Sequence, residues 1–122
     1  MPHFIFEYSA NLDKRLLDID GLMRKVHDVA ADTNIFPLAG IRIRAMKCDD
    51  FLVGDDSGDK GFINLSMKVG HGRDESIRMQ VGEQVWQTML AHLSPLMAKK
   101  HVSCSFEMRE LEPQVKFNHR NF

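Results

Sequence analysis

The clearest structural signal in the chain is FINLSMKVGHGRDESIRMQVGEQVWQTMLAHLSPLM, residues 62–97. From Ile63 to Val69, apolar side chains alternate with polar ones, which is the period of a β-strand. After the turn at residues 70–72, apolar residues recur every four positions from Ile77 to Leu93, which is typical of an amphipathic helix. Pro95 lies inside this helix, where proline kinks or locally adjusts the backbone. The stretch therefore predicts a strand followed by a long helix.

The preceding half of the chain follows the same order. Residues 2–8 are short and apolar and predict a first strand. Residues 22–30 carry apolar side chains at helical spacing, and Asp20 is the expected cap of that helix. Residues 41–46 alternate with the period of a strand.

Residues 102–108 predict a fourth strand, and a loop at 49–61 separates two strand-helix-strand units. We therefore predict a single domain, 1–122, with matching halves at about 2–48 and 61–110. Right-handed parallel crossovers within each half place both helices on one face of a four-stranded mixed sheet, an α+β fold. Because 43% of the residues are apolar, we do not expect the other face to stay bare, and we predict an oligomer that covers it.

Composition excludes several function classes. A formal net charge of −1 gives no electrostatic footprint for nucleic acid or for an anionic membrane. No apolar stretch has the length of a transmembrane helix or the form of a signal peptide. Cys48 and Cys104 have no partners at metal-ligand spacing, and the six histidines are scattered. We expect reduced thiols, no metal site and a cytoplasmic location.

Pro2 is the first candidate for chemistry. Methionine is normally removed when a small residue follows it, and removal of Met1 leaves Pro2 as a free secondary amine at the start of an apolar strand. Burial lowers the pKa of such an amine because it disfavours the charged form. A base with a pKa near neutral is suited to proton transfer beside a carbonyl. The alternative is that Pro2 only begins an edge strand, where the missing N–H costs little.

Three arginines are candidates for binding an anion. Arg73 follows the turn glycines at the start of the second long helix, where backbone N–H groups and a guanidinium together suit a carboxylate. The turn is not a dinucleotide fingerprint, because Glu75 stands where a third glycine is required. Arg42 and Arg44 share one face of the second strand and repel each other unless they are solvated or bind an anion. A solvated surface role remains the alternative for all three.

Four motifs occur in one order along the chain: Pro2-His3-Phe4-Ile5, Phe36-Pro37-Leu38-Ala39-Gly40-Ile41-Arg42, Lys68-Val69-Gly70-His71-Gly72-Arg73 and Ser105-Phe106-Glu107. Together they resemble the 5-carboxymethyl-2-hydroxymuconate Δ-isomerase family of the tautomerase superfamily. The resemblance covers nearly the whole chain, and the loop near 49–61 and the tail look divergent.

The resemblance implies a trimeric tautomerase fold and an isomerase that moves a double bond in a polycarboxylate from homoprotocatechuate degradation. Pro2 matches the family's basic proline, and Arg42 and Arg73 match its site arginines. Arg44 also resembles a family position and is expected to bind substrate. The site is expected near a subunit boundary, and neither a metal nor an organic cofactor is implied.

Two other functions stay open. One is a different reaction of the same superfamily, such as enol–keto exchange on a phenylpyruvate-like acid or hydration of a haloacid. The other is a non-catalytic ligand-binding module, because ferredoxin-like regulatory domains have a similar order of elements. Only the catalytic alternatives need a free terminal amine.

Overall fold

The computed structural model describes all 122 residues. The strands are β1 (His3–Ser9), β2 (Arg42–Cys48), β3 (Lys60–Val69) and β4 (His101–Glu110), and the helices are α1 (Lys14–Leu17), α2 (Ile19–Asp32) and α3 (Glu75–Met97). A short 3₁₀ turn, Leu38–Gly40, precedes β2. None of the three α-helices is both long enough and apolar enough to span a bilayer.

The four strands form one mixed sheet in the order β2-β1-β3-β4. β1 pairs in parallel with β2, β3 pairs in parallel with β4, and the two central strands run antiparallel. Each parallel pair is joined through a long helix, as right-handed crossovers require. The predicted α+β sheet of two strand-helix-strand units is therefore confirmed.

The core lies between the sheet and the two long helices. Alternate residues of the central strands point towards the helices and are fully buried, such as Phe4, Phe6 and Leu65. The helices contribute buried side chains at intervals of three and four residues, such as Val26 from α2 and Met89 from α3. The helices thus cover one face, as predicted.

The other face of the sheet, here called the open face, is more polar than expected. Its members, read from the strand register, include His3, Ile5, Glu7, Arg42, Arg44, Met46, Phe62, Asn64, Ser66, Lys68, Ser103, Ser105, Glu107 and Arg109. Only three of these are large and apolar. The open face therefore offers little apolar surface for a partner to bury.

Local details differ from the prediction in the first half. The cap of α2 is Asp18, whose Oδ1 accepts from the N–H of Gly21 at 3.2 Å, and not Asp20. Asp20 lies in the first turn and pairs with Arg24 at 2.9 Å. The unpredicted helix α1 ends at Leu17, and its C-cap Asp18, with a left-handed φ of 42°, turns the chain directly into α2. Asp18 therefore both ends one helix and begins the next.

The second long helix begins its contact with the core later than its apolar pattern predicts. Ile77 is 38% exposed, and the buried stripe starts at Val81. The helix continues through Pro95 and ends at Met97. The first turn of α3, next to Arg73, is therefore outside the core.

The two cysteines lie on opposite edges of the sheet and are unpaired. Cys48 ends the outer strand β2, and Cys104 lies in the outer strand β4, with β1 and β3 between them. Burial raises the pKa of Cys104 to about 11. A disulfide within the chain is excluded by this placement.

Candidate active site

The chain segments that adjoin the four strands meet at one end of the sheet. His3, which begins β1, pairs with Arg42 at the start of β2 and with Lys68 near the end of β3. Lys68 in turn pairs with Arg109, near the end of β4. The amino terminus, the segment before β2, the turn after β3 and the tail after β4 therefore lie together.

Pro2 is buried at this end. Its carbonyl accepts a hydrogen bond from the backbone N–H of Arg42 at 3.0 Å, which continues the pairing of β1 with β2. Gly40 lies beside it: a Cβ on Gly40 would be 3.9 Å from the Cα of Met1. While Met1 is attached, the nitrogen of Pro2 is an amide, and the terminal amine belongs to Met1.

The environment lowers the pKa of that terminal amine from its ordinary value of 8.0. Burial is the largest cause, followed by the positive charges of Arg73, Lys116 and Arg120. All four effects act in one direction, towards the neutral and basic form. Removal of Met1 would move the amine one residue further inward, to a buried position.

Two hydrogen bonds and an aromatic ring position Arg73 beside the amino terminus. Its Nη2 donates to the carbonyl of Ile35 at 3.0 Å, and its Nη1 donates to the carbonyl of Gly70 at 3.4 Å. Its guanidinium also lies over the ring of Phe36, 5.0 Å from the centroid. None of its contacts is a carboxylate, so its positive charge is not neutralised within the chain.

A residue at the end of β4, Glu110, positions the turn that precedes Arg73. The carboxylate of Glu110 accepts from the N–H of Gly72 at 2.8 Å, which lowers the pKa of Glu110. His71 and Arg78 lie near the same carboxylate, at 3.4 Å and 4.0 Å. Arg78 also donates to the carbonyl of Arg73 at 3.3 Å. The backbone at Arg73 is therefore positioned from both sides.

The two arginines of β2 lie on the open face beside His3. Arg42 donates to the carbonyl of Ala39 at 2.8 Å, and Arg44 lies 3.3 Å from Nδ1 of His3. Burial lowers the pKa of His3, and the charges of Arg44, Lys68 and Arg42 lower it further. The structure thus brings Arg42 next to Pro2 in the sheet, whereas the side chain of Arg44 contacts His3.

The tail after β4 contributes residues that the sequence did not single out. Arg120 Nη1 would lie 3.5 Å from a Cβ on Gly40, and the ring of Phe122 lies 5.3 Å from Arg42 Cζ. Lys116 is close enough to lower the pKa of the terminal amine. The sequence feature that could have identified this tail is its mixture of basic and aromatic residues over 116–122. No group of three or more His, Cys, Asp or Glu residues is placed to hold a metal ion.

A family model described as 5-carboxymethyl-2-hydroxymuconate isomerase matches residues 2–122. The chain belongs to this family. It is 38% identical over 121 residues to a 5-carboxymethyl-2-hydroxymuconate Delta-isomerase of Escherichia coli, covering 99% of this chain and 95% of that protein. The family predicted from the sequence, and its assignment to the isomerases, are confirmed.

Solved structures agree with the family. A 5-carboxymethyl-2-hydroxymuconate isomerase from Deinococcus radiodurans R1 superposes with a TM-score of 0.92 at 28% identity, covering 98% of this chain and 90% of that one. A fused 4-OT described as a symmetric trimer shares only the fold, with a TM-score of 0.64 at 12% identity, covering 93% and 91%. The family's fold is thus the tautomerase fold.

Proposed function

We propose that this chain isomerises 5-carboxymethyl-2-hydroxymuconate, or a close dienol polycarboxylate, in the degradation of homoprotocatechuate, with the amine of Pro2 as the general base. One observation carries the proposal: Pro2 is buried at the amino end of a chain that belongs to a family of such isomerases. Pro2 is buried, and Arg73, which no carboxylate neutralises, is close enough to the adjacent terminal amine of Met1 to lower its pKa. A neutral amine and a fixed guanidinium are the two groups that proton transfer through a dienolate requires.

The proposed reaction moves one proton and one double bond. The neutral Pro2 amine takes the proton of the substrate hydroxyl and becomes an ammonium, while the oxygen becomes a carbonyl through a dienolate. The ammonium then returns a proton to a distant carbon, which relocates the double bond and restores the neutral amine. No electron leaves the substrate, so the substrate and product are isomers.

Arg73 and Arg42 stabilise the negative charge in this proposal. The carbonyls of Ile35 and Gly70 hold the guanidinium of Arg73 in one orientation, so little reorganisation is needed as the oxyanion forms. Arg42 and Arg44 lie on the open face, where they would meet substrate or a neighbouring subunit.

We further propose a homotrimer in which the polar open face and the outer strands β2 and β4 meet neighbouring copies. The trimer described for the fused 4-OT of the same fold supports this assembly. The unpaired thiols on opposite sheet edges support a cytoplasmic location.

The proposal predicts selective turnover of polycarboxylate dienols. We expect the chain freed of Met1 to isomerise 5-carboxymethyl-2-hydroxymuconate with a kcat/KM at least about a hundredfold above that for phenylpyruvate or a haloacrylate, because lost carboxylate contacts cost about 1.5–3 kcal/mol each. The absorbance change of the conjugated substrate measures the rate. Equal or better turnover of the monocarboxylates would favour a different reaction of the superfamily.

A further inference from the structure

More cationic side chains lie at the Pro2 end of the sheet than the two proposed site arginines, Arg42 and Arg73. Arg120 lies beside Gly40 at this end, and the positive charges of Arg73, Lys116 and Arg120 lower the pKa of the terminal amine. Arg120 Nη1 and Met1 Cα both lie within 4 Å of the same point above Gly40. Phe122 meanwhile rests on Arg42. The tail therefore lies across the proposed site.

No acidic side chain balances this charge. None of the chain's eight salt bridges includes Arg42, Arg73, Lys116 or Arg120. Arg42 and Arg73 donate only to backbone carbonyls, and Lys116 and Arg120 have no hydrogen-bond partner in the chain. Cations that gather without a counter-charge repel one another, and a bound anion removes that repulsion.

The path of the tail is set by contacts close to the sheet. The N–H of Leu111 donates to the carbonyl of Val69 at 2.7 Å, which ties the end of β4 to the end of β3. Glu112 then accepts from the N–H groups of Gln114 and Val115 and so closes a turn. This turn directs the remaining residues towards the amino terminus.

We propose that Lys116 and Arg120 bind a carboxylate of the substrate, so that the tail, residues 112–122, selects tricarboxylates over smaller acids. The inference rests on the proposed function. A carboxymethyl-hydroxymuconate has three carboxylates, two from the muconate and one from the carboxymethyl group. In this arrangement Arg73 and Arg42 each bind one carboxylate, and Lys116 and Arg120 together bind the third.

Lys116→Gln/Arg120→Gln tests the inference in the protein freed of Met1. Because charge-assisted contacts are lost and 1.4 kcal/mol is tenfold, we expect the KM for 5-carboxymethyl-2-hydroxymuconate to rise about tenfold or more, with kcat within about threefold. Lys14→Gln/Arg15→Gln removes the same two residue types from the exposed helix α1 and should leave both constants unchanged. Thermal unfolding checks that both variants fold as the parent does.

Calorimetry with two unreactive acids separates the inference from the proposed function. Binding of propane-1,2,3-tricarboxylate should weaken about tenfold in Lys116→Gln/Arg120→Gln, and that of glutarate less than about threefold. If the parent binds the tricarboxylate in this way but does not isomerise the dienol, the proposed function fails and the tail's role stands. If the two acids weaken equally, or if neither is affected, the tail does not select the third carboxylate. A parent that fails to bind the tricarboxylate also overturns the inference.

Discussion

Protein that retains Met1 should isomerise the dienol about 10²–10⁴-fold more slowly than protein that has lost it, because the nitrogen of Pro2 is then an amide without basicity. Producing the protein while methionine aminopeptidase is inhibited gives the form that retains Met1. The intact mass of each sample then shows whether Met1 is present. The initial rates of the two forms, at equal concentration and pH, measure the effect. With Met1 attached, Pro2 is buried and its carbonyl accepts a hydrogen bond from Arg42, and we expect the trimmed form to keep both features.

Pro2→Ala is the matched control for this comparison. Alanine is also small, so Met1 is removed and a primary amine remains at the same place in the sheet. This variant should keep part of the activity, whereas acetylation of its amine should remove most of that part. Turnover by Met1-retaining protein as fast as by the trimmed form would rule out the amine of Pro2 as the base.

Arg73→Ala should lower kcat about 10²–10³-fold, as the loss of a preorganised oxyanion donor does in other enzymes. The guanidinium sits beside the amino terminus with its charge unneutralised, so its loss removes stabilisation of the dienolate. Steady-state kinetics on the trimmed protein, with unfolding by denaturant alongside, separates the effect on the reaction from an effect on the fold.

Two further variants serve as controls: Arg73→Lys keeps the positive charge, and Arg15→Ala removes an exposed arginine elsewhere. Lysine keeps the charge but cannot reproduce the fork that reaches the carbonyls of Ile35 and Gly70, so its kcat should fall between those of the parent and Arg73→Ala. Arg15 is exposed on α1, and its loss should change nothing. If Arg73→Ala kept the parent's kcat and KM, Arg73 would have no place in the mechanism.

The sequence predicted the sheet because its signals are local and periodic. Alternation over 62–69 and four-residue steps from Ile77 to Leu93 each identify an element, and the handedness of crossovers then leaves few arrangements. The cap of α2 was assigned two residues late, since Asp18 and Asp20 are chemically equal candidates. Only the turn conformation of Asp18 distinguishes them.

The arrangement of the candidate site follows from the sequence only in part, for a related physical reason. Pro2, Arg42 and Arg73 stand at strand or helix starts, which the topology brings together, so their proximity follows from the order of elements. Residues 112–122 have no periodicity, and their approach to Gly40 depends on contacts between the two ends of the chain. Such contacts leave no periodic pattern in the sequence, which is why the sequence did not single out Lys116 and Arg120.

Titration of the Pro2 amine by ¹⁵N NMR, in protein freed of Met1 and labelled at proline, tests the proposed base most directly. Burial and the nearby cations should hold the amine's pKa below the ordinary value of a terminal amine, as they do for Met1. Since only the neutral amine is a base, kcat/KM should fall as the pH falls through that same pKa. An amine that is fully protonated throughout the pH range of full activity would contradict the proposal.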